Sequence, residues 1–206
     1  MDFNEFKNKL AQSTKQAFLE IYNENPSLNL YAFALCNNES KIAIHPSANS
    51  TEYLEQVADE DDFHFYKFEP SEWKFDYLGA KESFNEINQI CKEIADEHDD
   101  DEDWFYQFQN QLNEKCIEVL HELKEEQFFS KLTGKDIFLN FSVIDDDLNK
   151  DIQRKIITQL NDNQYKDDYF EWMTTWDKNK RSCLKTRQLL FFLLFRIHLF
   201  FYSWIF

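Results

Sequence analysis

The apolar residues of this chain follow two patterns, one helical and one extended. Four segments repeat apolar residues every three or four positions, the spacing of one buried helix face. The first is predicted to begin at Asp2, with Glu5 completing a capping box, and to end at Asn25-Pro26. A shorter helix is predicted after a polar loop, capped by Ser50 or Thr51. The predicted inward residues of the four longer helices are Phe3, Phe6, Leu10, Ala17, Phe18 and Ile21; Phe84, Ile87, Ile90, Cys91 and Ile94; Phe105, Phe108, Leu112, Cys116, Val119, Leu120 and Leu123; and Ile152, Ile156, Ile157 and Leu160.

Four other segments have the pattern of strands. Residues 28–36 are apolar on both faces, which indicates a central strand. Residues 41–45 are predicted to complete a hairpin, and 63–68 and 137–144 to form the third and fourth strands. The resulting order, α-β-β-α-β-α-α-β-α, predicts an α+β fold in which helices pack on one side of an antiparallel sheet of about four strands.

Charge divides the chain into two parts. Of its 206 residues, 39 are acidic and 22 are basic, which gives a net charge of −17. All the acidic residues lie within 1–177, together with 16 of the basic ones, so this part carries −23. The sequence therefore predicts one acidic domain over 1–177, followed by a basic linker and an apolar tail over 178–206. Because phosphate contacts need a basic face, we predict no nucleic-acid partner.

The tail has three competing interpretations. From Leu189 to Phe206 it contains 15 apolar residues among 18, and Arg196 interrupts the apolar run. It is long enough for a marginal membrane anchor that would hold the acidic domain in the cytoplasm. It could instead be a helix packed on the domain, or the product of a shifted reading frame, since the acids vanish and arginine becomes frequent at one point.

The sequence contains no recognisable catalytic or metal-binding motif. It has no G-x-S-x-G, H-E-x-x-H, Walker or G-x-G-x-x-G pattern. The four cysteines share no metal-ligand spacing and the start of the chain has no signal peptide, so we predict free thiols in the cytoplasm. Asp145, Asp146 and Asp147 follow a predicted strand, where acids can hold Mg²⁺ in hydrolases, but helix capping is the favoured interpretation. We therefore predict a non-enzymatic protein without metal or cofactor, and keep a metal-dependent hydrolase as the weakest alternative.

Two acidic runs are the predicted partner-binding surface. Neither has the alternating oxygen ligands and the glycine of an EF-hand loop. A dense negative surface accelerates association with basic proteins and disfavours wrong partners. The predicted surface comprises Asp59, Glu60, Asp61 and Asp62 in the first run, Glu97, Asp99, Asp100, Asp101, Glu102 and Asp103 in the second, and Trp104 as an aromatic anchor.

Several short motifs carry a family resemblance. They are Leu-Tyr-Ala-Phe-Ala-Leu at 30–35, Pro-Ser-Ala-Asn-Ser-Thr-Glu at 46–52 and Pro-Ser-Glu-Trp at 70–73. With them the chain resembles, over about residues 2–175, the bacterial family catalogued as domain of unknown function 4303. That family has no established catalytic residues, and its members are often met beside polymorphic toxins in the company of immunity proteins. The resemblance implies an immunity protein, or antitoxin, that neutralises a cationic toxin domain encoded nearby. The alternative is a membrane-tethered protein held by its tail.

Overall fold

The computed structural model describes residues 1–38, 42–98, 100–144 and 149–176. The predicted tail and the run Asp145 to Asp147 lie outside these residues, so the interpretations of the tail, and of the run as a metal site, stay predictions. The chain divides into two compact units, Met1–Asp167 and Asp168–Phe206, of which the second is described only to Trp176. In that unit the rings of Trp172 and Trp176 pack edge to face, with centroids 5.1 Å apart. None of the helices described is long and apolar enough to cross a membrane.

The described chain has an α+β architecture, as predicted. Its strands are β1 (Leu30–Asn38), β2 (His45–Ser50) and β3 (Phe138–Ile144). Its helices are α1 (Phe3–Glu24), α2 (Thr51–Val57), α3 (Phe63–Phe68), α4 (Lys81–Asp96), α5 (Glu102–Glu125), α6 (Phe128–Thr133), α7 (Lys150–Leu160) and α8 (Gln164–Met173), with a 3-10 turn at Pro70–Glu72 between α3 and α4.

Side-chain caps fix two helix starts where the sequence predicted them, whereas α7 is capped by Asn149, which accepts from the Asp151 amide at 2.8 Å, and not by the run Asp145 to Asp147. The Asp2 carboxylate accepts hydrogen bonds from the Asn4 and Glu5 amides at 2.7 and 3.3 Å and starts α1. The Ser50 hydroxyl accepts one from the Tyr53 amide and starts α2. The inward faces are also largely as predicted, but Ile90 and Ile152 were wrongly placed in the core, since they are 40% and 48% exposed.

The sheet differs from the prediction in strand number and direction. The described sheet has three strands in the order β2-β1-β3; β1 and β2 are antiparallel, whereas β1 and β3 are parallel. Five helices separate β2 from β3, a connection long enough to return the chain in the parallel direction. Residues 63–68, predicted as a strand, form the helix α3. The prediction was wrong because the spacing of apolar residues in so short and aromatic a segment does not distinguish a helix from a strand.

The second strand lies later in the sequence than predicted. It begins at His45 and includes Pro46, and it continues through the polar residues predicted as a loop. Pro46 is tolerated because the ladder bonds to β1 come from its neighbours, while its own carbonyl faces outward and accepts from the Tyr77 amide at 3.1 Å. The polar side chains are buried with partners: the Ser47 hydroxyl donates to the Pro70 carbonyl at 2.9 Å, and the Asn49 amide donates to the Tyr31 hydroxyl at 3.1 Å.

The apolar core lies between one face of the sheet and helices α1, α4, α5 and α6. Phe33 and Leu35 of β1 point into it, as do Leu139 and Phe141 of β3. Phe18 of α1 is fully buried at its centre. Two lysines of α1 also form ion pairs with α5 and its C-cap, Lys7 with Glu122 and Lys15 with the capping residue Glu126.

Each edge of the sheet is partly covered by the chain's own atoms. Along the outer edge of β2, Phe75 and Ala48 exchange two backbone hydrogen bonds of 3.0 and 3.3 Å. At the outer edge of β3, the Asn161 side chain accepts from the Leu139 amide at 2.9 Å and donates to the Leu139 carbonyl at 2.8 Å. Asn88 pairs in the same way with the backbone of Ile44, just before β2. These contacts satisfy backbone groups that an open edge would offer to another strand.

Candidate functional site

The first acidic run forms the turn between α2 and α3. One carboxylate oxygen of Asp59 accepts from the amides of Asp61 and Asp62 at 3.0 and 3.2 Å, and Asp62 accepts from the Asp59 amide at 3.0 Å. Two of the four acids therefore shape the turn, whereas Glu60 and Asp61 leave their carboxylates exposed.

The second acidic run joins the end of α4 to the start of α5. Glu97 is the C-cap that follows α4, and Asp101 caps the start of α5 by accepting from the Trp104 amide at 2.9 Å. Glu102 and Asp103 lie in the first turn of α5, where negative charge is stabilised by the helix dipole. Glu97 and Asp100 to Asp103 are exposed, and Asp99 lies outside the described residues.

The two acidic runs lie in different turns, the first between α2 and α3 and the second between α4 and α5. Among the residues that the structure describes, no hydrogen bond or ion pair connects one run with the other. In the same residues, no lysine or arginine forms an ion pair with either run. The ion pairs formed by the lysines of α1 use acids of α4 and α5 outside the runs, such as Glu86 and Glu122. Within the described part of the chain, the runs are therefore exposed negative charge without an ion-pair partner.

Trp104 is directed toward the core rather than into solvent. Its ring stacks on His98 at 3.9 Å and on the buried Phe108 at 4.9 Å. The exposed aromatic residue beside the second run is Tyr106, which is 56% exposed. Tyr106 follows Glu102 by four residues and Asp103 by three, so these three side chains share one face of α5. Sequence reasoning missed Tyr106, although its helical spacing from the acids was visible.

A second cluster of titratable side chains lies where β1 and β2 meet residues 69–77. His45 is 3% exposed, and its Nε2 lies 3.3 Å from Oδ1 of Asp76. The ring stacks on Tyr77 with centroids 3.4 Å apart. Cys36 pairs with His45 across the two strands and is fully buried. Burial raises the pKa of the Cys36 thiol well above its usual range, and the nearby carboxylates of Asp76 and Glu69 raise it further, so this thiol is protonated at neutral pH.

The other buried thiols are protonated for the same reason. Burial raises the pKa of Cys91 to about 12, and it raises the pKa of Cys116 as well. Both agree with the prediction that these cysteines belong to the core. Within the described ranges, the structure brings together no group of three or more histidine, cysteine, aspartate or glutamate side chains that could hold a metal ion.

Glu69 gives a testable pH dependence. Burial raises the pKa of its carboxyl group, although a hydrogen bond from the Ser71 hydroxyl at 3.3 Å opposes the rise. The folded state therefore binds the Glu69 proton more tightly than the unfolded chain does. The resulting contribution to the free energy of unfolding is fully present below the ordinary glutamate pKa of about 4.3, and it is lost as pH rises through the pKa of the folded state. We expect Glu69→Gln to be more stable than the parent at neutral pH, with the difference shrinking as pH falls. Urea unfolding at several pH values measures this, with the exposed Glu55→Gln as a control that should show no such trend.

The match to a protein family covers the part of the chain that holds the sheet. It extends over residues 10–162, from the first half of α1 to just beyond α7, and its description is "Domain of unknown function (DUF4303)". The chain belongs to this family. The DUF4303 match is somewhat shorter than the resemblance deduced from the motifs, and it includes both acidic runs and all three strands. Comparison with curated proteins gave no match. Comparison with solved structures gave none either.

Proposed function

We propose that this DUF4303 protein is a non-catalytic, protein-binding immunity protein that neutralises a cationic toxin domain encoded nearby. The observation that carries the proposal is the acidic surface at the start of α5. There, the exposed carboxylates of residues 97 and 100–103 have no intramolecular lysine or arginine partner among the described residues, and they adjoin the exposed ring of Tyr106.

This surface combines the two properties of a protein interface for a basic partner. Its charge would attract a positively charged active site over long range, which accelerates association at low ionic strength. Tyr106 would supply an aromatic anchor, the residue type that often carries much of the binding energy at the centre of an interface. The contacts at Leu139 of β3 and Ala48 of β2 interrupt both edges of the sheet and disfavour binding by strand addition, so helix side chains are the expected contact.

Neutralising the second run tests the electrostatic part of the proposal. We expect Glu97→Gln, Asp100→Asn, Glu102→Gln and Asp103→Asn, combined in the full chain, to slow association with the cationic product of the neighbouring gene by about tenfold or more at low salt. The dependence of the association rate on salt should become flatter. Asp101 is left unchanged because it caps α5. Stopped-flow or surface-based kinetics at several salt concentrations measure both effects.

A matched control carries the same change of net charge elsewhere. It combines Glu24→Gln, Glu55→Gln, Glu114→Gln and Asp136→Asn, four exposed acids outside both runs. Equal slowing in the two quadruple variants would assign the effect to net charge alone and remove the surface from the proposal. In a separate variant, Tyr106→Ala, we expect faster dissociation with little change in association. Absence of binding at any salt concentration, or failure to relieve the partner's toxicity, would overturn the immunity role.

A further inference from the structure

Residues 77–80 form a turn with an unfavourable backbone conformation. Tyr77 has φ 57°, Gly79 has φ 87° and Ala80 has φ 47°, so two non-glycine residues occupy the left-handed region. The turn also exposes two large apolar side chains in sequence, since Tyr77 and Leu78 are 51% and 50% exposed. Such a conformation persists only when surrounding contacts enforce it.

Those contacts come from the sheet edge and from α1. The Tyr77 amide donates to the Pro46 carbonyl at 3.1 Å, next to the paired Phe75 and Ala48. The Ala80 amide donates to the Glu20 carboxylate at 2.6 Å. The inner face of the Tyr77 ring lies on the buried His45, with an angle of 9° between the ring planes. The exposed turn is thus anchored through His45 to the interior of the sheet.

His45 faces an oxygen acceptor at each ring nitrogen. Its Nδ1 lies 3.0 Å from the Ala43 carbonyl oxygen, which can only accept, so this nitrogen carries a proton. Its Nε2 lies 3.3 Å from Oδ1 of Asp76. Both of these atoms are buried and have no hydrogen-bond partner, because their 3.3 Å contact is not aligned as a hydrogen bond. At this distance an ionised carboxylate repels the lone pair of a neutral imidazole and attracts an imidazolium, so one additional proton on the ring turns repulsion into attraction.

We propose that His45 and Asp76 form a proton-dependent latch that holds residues 75–77 on the edge of β2 and fixes the exposed Tyr77–Leu78 turn. With the proton present, the imidazolium donates to Ala43 and faces the Asp76 carboxylate as its counter-ion. When the proton leaves, the repulsion between Nε2 and Oδ1 weakens the segment that carries Asp76. The other titratable groups around the pair are the Cys36 thiol on β1, the Glu69 carboxyl before the 3-10 turn and the Tyr77 phenol. The latch acts on the shape of this turn and does not depend on the immunity role.

Amide hydrogen exchange in the full chain tests the latch. We expect protection of the Phe75 and Tyr77 amides, corrected for intrinsic exchange, to fall at least about fivefold as pH rises from about 5.5 to about 8.5. The Leu139 amide is the internal reference, because its partner is the uncharged Asn161 side chain. The ¹⁵N shifts of the His45 ring should show both nitrogens protonated at the lower pH.

Three variants locate the proton. His45→Gln and Asp76→Asn should each abolish the pH dependence at Phe75 and Tyr77, and either one suffices if the other fails to fold. His98→Gln, which changes an exposed histidine near the second acidic run, should keep it. Protection at Phe75 and Tyr77 that follows Leu139 at every pH would overturn the latch. So would a pH dependence that survives in Asp76→Asn but disappears in Glu69→Gln, or ¹⁵N shifts of an unprotonated Nε2 at the lower pH.

Discussion

Replacing Phe18 with alanine is expected to lower the free energy of unfolding by about 3–5 kcal/mol, the usual cost of truncating a buried phenylalanine. Phe18 is fully buried. Its ring packs edge to face on Phe33 of β1 at 5.5 Å and on Phe129 of α6 at 4.9 Å. It also contacts Phe128 at 6.0 Å. One side chain thus joins α1, the central strand and α6, so its loss leaves a cavity and removes several aromatic contacts at once.

Urea unfolding followed by tryptophan fluorescence measures this change. Phe65→Ala is the matched control, because this phenylalanine of α3 is 41% exposed and should cost less than about 1 kcal/mol. Phe18→Leu should fall between the two, since it keeps part of the buried volume. A loss for Phe18→Ala no greater than that for Phe65→Ala would contradict the position of Phe18 at the centre of the core.

Replacing Gly79 with alanine is expected to cost about 2–5 kcal/mol, the sum of left-handed strain and overpacking. Gly79 has φ 87°, and a Cβ built there lies 2.7 Å from the Ala17 carbonyl oxygen and 2.8 Å from its Cα. Both atoms belong to the backbone of α1, so no side-chain rotation can relieve the contact. The turn must move away from α1, which also strains the bond from the Ala80 amide to Glu20.

The second glycine of the chain separates the two causes. Gly134 ends α6 with φ 74°, but a Cβ there meets nothing within 4 Å. Gly134→Ala should therefore show only the conformational cost, about 1–2 kcal/mol. Thermal or urea unfolding of the two variants gives the comparison. Equal losses at both positions would show that the close approach of the turn to α1 contributes nothing.

Helices with long apolar faces and side-chain caps could be predicted from local sequence. The spacing of apolar residues in α4 and α5 and the cap at Asp2 depend only on neighbours in the chain, and the structure confirms them. The polar strand β2 could not be predicted, because burial of Ser47 and Asn49 depends on partners that are distant in sequence, the Pro70 carbonyl and Tyr31. The direction of β3 likewise depends on how the connecting helices pack, and not on the residues of the strand.

The candidate sites show the same limit. The acidic runs could be recognised from the sequence alone, and their exposure could be predicted because charged residues usually lie at the surface. The inward orientation of Trp104 depends on its stack with Phe108, so a count of aromatic residues beside acids could not distinguish it from Tyr106. The pairing of His45 with Asp76 joins residues 31 positions apart through the edge of β2, and neither belongs to a motif that the sequence makes recognisable.

The partly covered edges of the sheet affect how members of this family can diverge. Asn161 occupies the backbone groups of Leu139 in β3, and the segment around Phe75 occupies those of Ala48 in β2. A binding partner is therefore expected to meet side chains on the outer helix surfaces rather than a free strand. Outward residues of α4 and α5 can be exchanged with small effects on stability, whereas Asn161 cannot. A lineage built on this sheet can therefore change its partner by surface substitution alone, and its outer helix faces should evolve faster than the asparagines that seal the edges.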